Sequence, residues 1–403
     1  MTDTYFLPDW PLLGNPMMWV GLLLVMGLLG GELTQRVLRL PRVTGYAAVG
    51  ILLGAGGLGL VGEAVLRDLQ VFVDISIGLI LFELGLRLDL RWLRRTPALV
   101  LMGIAEAVCG ALLVFFTLHY FFDFDALPAA LAGAIAASTS PAVLMRVAAD
   151  LRAEGQVTER ALILVAINSV LAFLALTVIV PWAHLEYEGS AWLVLVHPLY
   201  LFGVSISLAW IAALLTLRAV ALVGKNRERQ FVVAIGMVVL TVGVAVLLKA
   251  SVLLALLGFG AMVRNFDRNH DFIALESGRA GQLFYVILFV VTGASLNLGL
   301  LASVGAAAVA FVVVRFVGKS IGVLAMSPLV GVSLRQASLL SLALAPMSGL
   351  AVVMVYQTSA LFPQLHDSVA PVVLAAVVIL ELFGPIAAQF ALRRAGEAAE
   401  ESQ

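Results

Sequence analysis

"AIAASTSPAVLM", residues 134–145, places Ser138, Thr139, Ser140 and Pro141 inside an otherwise apolar run. A proline inside a helix removes a backbone hydrogen bond and clashes with the preceding turn. In lipid an unpaired backbone group costs several kcal/mol, so irregular backbone survives there only where protein or a water-filled cavity covers it. The stretch reads as a deliberate break in a membrane helix.

The rest of the chain supplies the membrane context. Of its 403 residues, 62% are hydrophobic and only 12% are charged, with mean hydropathy +1.07. A soluble domain carries about 25% charged residues. The charges cluster between apolar runs of roughly 20 residues, the length that crosses a bilayer as a helix. The expected fold class is an all-α polytopic membrane protein of about thirteen transmembrane helices, near 16–35, 45–61, 69–86, 97–120, 126–149, 160–183, 192–217, 230–248, 250–263, 280–296, 300–325, 336–360 and 369–392.

Arginine and lysine favour cytoplasmic loops. With this count, loops rich in Arg and Lys alternate with loops nearly free of them, and 20 of the 24 basic residues fall on one side. That predicts an outside N-terminus and a cytoplasmic C-terminus. The opening "MTDTYFLPDW" lacks the basic region of a signal peptide. The single cysteine, Cys109, excludes an internal disulfide.

An odd count suits two inverted six-helix halves joined by a seventh, linking helix. Span twelve should then carry a partner break. "ALAPMSGLAV", residues 343–352, has Pro346, Ser348 and Gly349 in mid-span. Either break alone is an ordinary kink. Two in corresponding positions point to a transport site near the bilayer midplane, where the two discontinuous helices cross.

Four further stretches carry a family resemblance: "PRVTGYAAVGILLGAGGLGLV" (41–61, with Ala55 where a proline is usual), "LILFELGLRLDLRWLRR" (79–95), "LFYVILFVVTGASLNL" (283–298) and "VVRFVGKSIG" (313–322). The chain resembles the monovalent cation:proton antiporter superfamily, nearest the bacterial sodium or potassium/proton exchangers. The resemblance covers nearly the whole chain. It implies a single transmembrane domain in a bacterial inner (plasma) membrane. It also implies a mobile core near 97–183 and 300–392, a dimerising scaffold near 16–86 and 230–296, and a linker near 192–217. The implied partners are a monovalent cation, protons, the lipid bilayer and a second copy of the chain. The tail "RRAGEAAEESQ" is too short for a soluble regulatory domain.

The sequence also departs from the family in the site itself. The span after the first broken helix should carry an Asp that exchanges cation for proton. Here "LVAINSVLAFLAL", residues 164–176, keeps Asn168 but has Ser169 in that place, and "PMSGLAV" has no Glu. A serine hydroxyl coordinates a hard cation weakly and does not titrate near neutral pH.

Ionisable residues buried in a membrane are functional candidates and should be paired. Glu106, Arg315, Lys319 and Glu381 fall at depths of roughly 9 to 18 Å from the cytosolic face, at 1.5 Å per residue. Matching depth on spans four and eleven predicts a Glu106–Arg315 pair. Glu381, shortly before Gly384 and Pro385, is an alternative partner for Arg315 or Lys319. Two readings stay open. In one, Lys319 or Glu106 carries the proton while Ser138, Thr139, Asn168, Ser169 and Ser348 offer oxygens to the cation. In the other, Glu106 and Arg315 form a static clamp and Lys319 snorkels to the interface. Pro141, Pro346 and Gly349 set the breaks.

Other motifs carry less. "GAGGLG", residues 54–59, lacks the strand and acidic partner of a dinucleotide site and reads as helix packing. So do Gly27/Gly31, Gly50/Gly54 and Gly318/Gly322. His119, His184, His197, His270 and His366 fall in loops or near span ends, which argues against a buried metal site or an intramembrane protease. No metal, cofactor or nucleic-acid partner is expected, and no enzyme. The leading function is cation:proton antiport by alternating access. The alternatives are a carrier of the same fold for another solute, uncoupled from protons, or a transport-inactive sensor or scaffold.

Overall fold

The computed structural model describes residues 15–187, 191–267 and 279–399. Arg268, His270, the N-terminal segment before residue 15, residues 188–190 and the last four residues of the tail lie outside the described residues.

The described residues form helices and no strand: α1 Pro16–Leu33, α2 Arg42–Leu53, α3 Glu63–Leu86, α4 Leu90–Arg95, α5 Pro97–Phe121, α6 Ala126–Ala137, α7 Pro141–Leu151, α8 Gln156–Tyr187, α9 Ala191–Val223, α10 Arg227–Leu247, α11 Val252–Phe266, α12 Arg279–Ser295, α13 Gly299–Val330, α14 Leu334–Ala343, α15 Gly349–Leu361 and α16 Pro363–Ala395. Local chemistry sets many ends. Asn15 caps α1 by accepting from Met18 N–H at 2.8 Å, with Pro16 at the first helical position. Ser333 and Gln336 form a capping box at the start of α14. Gly331 and Gly396 close α13 and α16 with φ of +69° and +75°, the left-handed region glycine tolerates.

Among the described residues, nine helical segments are long and apolar enough to cross a membrane. Each of the thirteen expected segments contains a helix, but α2, α11 and α12 are short, and the twelfth is split into α14 and α15. The expected span 45–61 is corrected most. Its helix stops at Leu53, because the glycines that follow fold back: Gly57 and Gly59 N–H both donate to Gly54 O, at 3.1 and 2.9 Å.

The helices pack in two groups. α5 to α8 pack with α13 to α16, while α1 to α3 pack with α10 to α12; α9 lies against α8, α10 and α11. The glycine pairs work as close contacts. Gly50 and Gly54 lie on the backbone of Val290 and Ala294 in α12. A Cβ on Gly318 would come 2.7 Å from Cys109 O, and one on Gly322 would fall on the Glu106 backbone. Helices α5 and α13 therefore touch backbone to backbone, which fixes how their buried charges meet.

Candidate functional site

The two breaks meet. α6 ends at Ala137, residues 138–140 are extended, and α7 restarts at Pro141 with Ser140 Oγ accepting from Val143 N–H at 3.3 Å. α14 ends at Ala343 and α15 begins at Gly349, leaving Pro346 in the gap. Ser140 N–H donates to Pro346 O at 2.9 Å, and Thr139 Oγ1 donates to Leu344 O at 3.3 Å. The Ser140 and Ser348 hydroxyls share a short hydrogen bond. Each half-helix satisfies backbone groups that the other break leaves free, so the irregular backbone survives at this depth.

A helix C-terminus leaves carbonyls unpaired and carries roughly half a negative charge. Two such ends, of α6 and α14, point into the crossing, and α13 supplies the cations for them. Arg315 donates three hydrogen bonds: Nε to Ala136 O at 2.9 Å, Nη2 to Ser138 O at 2.6 Å and Nη1 to Ala345 O at 2.8 Å. One guanidinium thus ties both breaks together. Lys319 Nζ donates to Ala137 O at 2.8 Å and lies 2.7 Å from Glu106 Oε2. All three charged side chains are buried, at 0 to 1% exposure. Two cations and one carboxylate leave one excess positive charge, which the two half-negative ends of α6 and α14 offset, while the half-positive starts of α7 and α15 lie at the same breaks.

This corrects the expected Glu106–Arg315 pair. Equal depth fixes only the height of two groups; rotation about the helix axis decides which meet. Lys319 faces Glu106, and the planar fork of Arg315 is taken by carbonyls at three positions, a geometry lysine's single ammonium cannot match. The alternative in which Lys319 snorkels to the interface is also corrected, since its ammonium turns inward to Glu106 and Ala137 O.

The oxygen-bearing residues divide. Asn168 Nδ2 lies 3.4 Å from Thr139 Oγ1 and adjoins the Glu106 carboxylate. Asn168 Oδ1 has no hydrogen-bond partner among the described residues. Thr139, Asn168, Ser348 and Glu106 thus gather at or beside the crossing, joined by Ser140, which the sequence reading placed in the break but not in the site. Its signal was its position directly before Pro141, where a hydroxyl caps a new helix. Ser138 and Ser169 turn away, donating to Ile135 O at 2.7 Å and Val165 O at 2.9 Å on their own helices. Glu381 is fully buried, and neither carboxylate oxygen has a hydrogen-bond partner among the described residues.

A cavity of about 1030 Å³ lies between the two helix groups. Glu63 and Arg67 line one end; Asp74, Thr292 and Gly349 line it further in. It reaches the first residue of α15. At the opposite face the groups are joined by polar contacts. Arg42 on α2 lies 2.8 Å from Glu32 and 3.5 Å from Asp150 on α7, which also pairs with Arg146 at 2.9 Å. Arg87 lies 3.8 Å from Glu159 on α8, and Gln389 on α16 donates to Arg39 O at 2.9 Å. The sequence reading used Arg39, Arg42 and Arg146 as topology markers.

The family described as "Sodium/hydrogen exchanger, transmembrane" matches residues 21–393 of this chain. No curated protein matches the sequence. Among solved structures, the chain is similar to the sodium proton antiporter MjNhaP1 from Methanocaldococcus jannaschii at pH 8. The TM-score is 0.72 at 18% identity, covering 94% of this chain and 96% of that one. An electron-microscopy map of the same antiporter gives a TM-score of 0.69 at 18% identity, covering 96% and 99%. At this identity the likeness is one of fold.

Proposed function

The chain belongs to the sodium/hydrogen exchanger transmembrane family, and from that premise we propose that it exchanges Na⁺ or K⁺ for H⁺ at the crossing of its two broken helices, using the Glu106–Lys319 pair in place of the family's Asp. It is a multi-pass membrane protein, and its family is one of transporters, not enzymes. The observation that carries the reading is the 2.7 Å contact between Lys319 Nζ and Glu106 Oε2, fully buried beside Thr139 and Asn168.

The exchange follows from charge balance. Adding a further net charge to a buried site in low dielectric is costly. A cation arriving at Glu106, with Thr139, Asn168 and Ser348 offering oxygens, displaces the ammonium from the carboxylate. Lys319 then releases one proton to water and stays bonded to Ala137 O as a neutral amine. One positive charge enters for each that leaves.

Further proposals rest on the same premise. The chain has thirteen spans in two inverted repeats, with its N-terminus outside and its C-terminus in the cytoplasm of a bacterial inner membrane. Helices α5–α8 and α13–α16 form the moving core, α1–α3 and α10–α12 form a scaffold that pairs with a second copy, and α9 links them. The cavity beside Gly349 is the outward route, and the Arg42–Asp150 face is closed to the cytoplasm.

A second reading has one observation in its favour. Ser169 Oγ bonds Val165 O on its own helix, so no fixed anion stands where the family keeps one. A carrier of the same fold, moving another solute without protons, fits that absence. Proton flux in vesicles holding Lys319→Ala and Glu106→Gln separates the two. Altered coupling supports antiport through this pair, while unchanged coupling in both variants sinks it.

A further inference from the structure

The antiport chemistry above leaves one buried acid unused. Glu381 is 0% exposed, and both carboxylate oxygens lack hydrogen-bond partners among the described residues. Its helix, α16, packs against α2, α6, α7, α8, α13, α14 and α15. The titratable groups on those elements include Arg42 and Tyr46 on α2, Arg146 and Asp150 on α7, and Glu159 and Arg160 on α8. They also include Arg315 and Lys319 on α13, Arg335 on α14 and Tyr356 on α15; α6 has none. None of them pairs with Glu381. Arg315 is held by three carbonyls, Lys319 by Glu106 and Ala137 O, and Asp150 by Arg42 and Arg146.

Three features place this acid at the crossing. Gly384, three residues on and so on the same face of α16, lies against Pro346, where a Cβ would come 2.8 Å from the Pro346 Cα. Pro385, four residues on, has no N–H, so the helical hydrogen bond to the Glu381 carbonyl cannot form. The Glu381 carbonyl thus lacks its usual helical donor, and oxygen ligands are what hard cations take. Finally, α7 and α15 both pack on α16, and the N-terminal ends of both lie at the breaks. Those ends carry partial positive charge, which favours an anion nearby.

We propose that Glu381 is a second exchangeable acid, holding a proton in this conformation and taking a monovalent cation when its surroundings admit water. Without a partner, a buried carboxylate costs too much to stay ionised, so the side chain here is the neutral acid. When water enters, the acid O–H bond breaks, the proton leaves to solvent, and the carboxylate binds the cation. The idea rests on the antiport reading for its ligand, but not for its test.

The test is an infrared difference spectrum of the full-length protein in lipid, recorded on adding Na⁺ or K⁺ at constant pH. The expected result is loss of a protonated-carboxyl C=O band, absent from Glu381→Gln and shifted in Glu381→Asp, which retains an acid should the amide variant fold poorly. A band that persists in Glu381→Gln, one that does not move in Glu381→Asp, or no cation-dependent band at all overturns the proposal. Wild-type vesicles that show the band but no cation/proton exchange would instead overturn the antiport reading while leaving Glu381 a cation-sensitive acid.

Discussion

Ser140 and Pro346, 206 residues apart in sequence, are joined by a 2.9 Å hydrogen bond from the Ser140 N–H to the Pro346 carbonyl. That contact makes one site of two breaks. The cations of α13 then have two helix C-termini to neutralise, and Glu106 is drawn in as the counter-charge.

Arg315 should be the most structurally sensitive of the buried charges. Its three hydrogen bonds end on α6, on the residue just after it, and on the residue two past α14. Arg315→Lys keeps the charge but leaves carbonyls unsatisfied, each costing about 1–3 kcal/mol. Thermal melting of purified protein should show Arg315→Lys well below the wild type. An unchanged melting temperature would mean that the guanidinium does not hold the breaks together.

The Glu106–Lys319 pair should be non-additive. Removing one partner leaves a buried charge alone, at about 3–5 kcal/mol, whereas removing both with apolar or neutral groups of similar size costs much less. Lys319→Met and Glu106→Gln should each destabilise more than the double variant. Additive losses in a double-mutant cycle would show that the two groups do not interact.

Gly322→Ala places a methyl on the Glu106 backbone and must push α5 and α13 apart. We expect both a lower melting temperature and slowed exchange. Gly236→Ala and Gly305→Ala, where nothing lies within 4 Å of the added carbon, should be neutral or slightly stabilising. Equal effects at all three positions would contradict the backbone contact.

Asp89, in the loop after α3, supplies a pH-dependent term outside the membrane. The Trp92 N–H bond does most to hold its carboxyl below the usual carboxylate range; slight burial opposes this, while the Arg91 N–H and the Arg264 charge add to it. A depressed folded-state pKa means that the stabilisation is present above the unfolded value, about 3.9, and is lost as pH falls through the folded value. The melting difference between wild type and Asp89→Ala should therefore shrink below about pH 4. A difference that grows with acidification would reverse the sign of this account.

Much of this architecture was legible in the sequence because a membrane penalises irregular backbone so heavily. Ser138–Pro141 and Pro346–Gly349 each read alone as an ordinary kink, and the expectation of two inverted halves is what paired them. What sequence could not give was rotation. Depth along a span placed Glu106 level with Arg315, yet a turn of α13 sets Lys319 against Glu106. Ser169 was expected to face the cation, but a serine in a helix has its own carbonyl four residues back as a ready partner, and Val165 O takes it. The span at 45–61 was overrun for a related reason: apolar composition continues past Leu53, while Gly54, Gly57 and Gly59 turn the chain.

The most direct test of the whole account is exchange by the wild-type protein in acid-loaded proteoliposomes. Adding external Na⁺ or K⁺, with Li⁺ in parallel, should alkalinise the interior while the cation accumulates. If the interior pH stays fixed with every cation while empty vesicles confirm that the gradient is intact, the Glu106–Lys319 crossing does not exchange cations for protons.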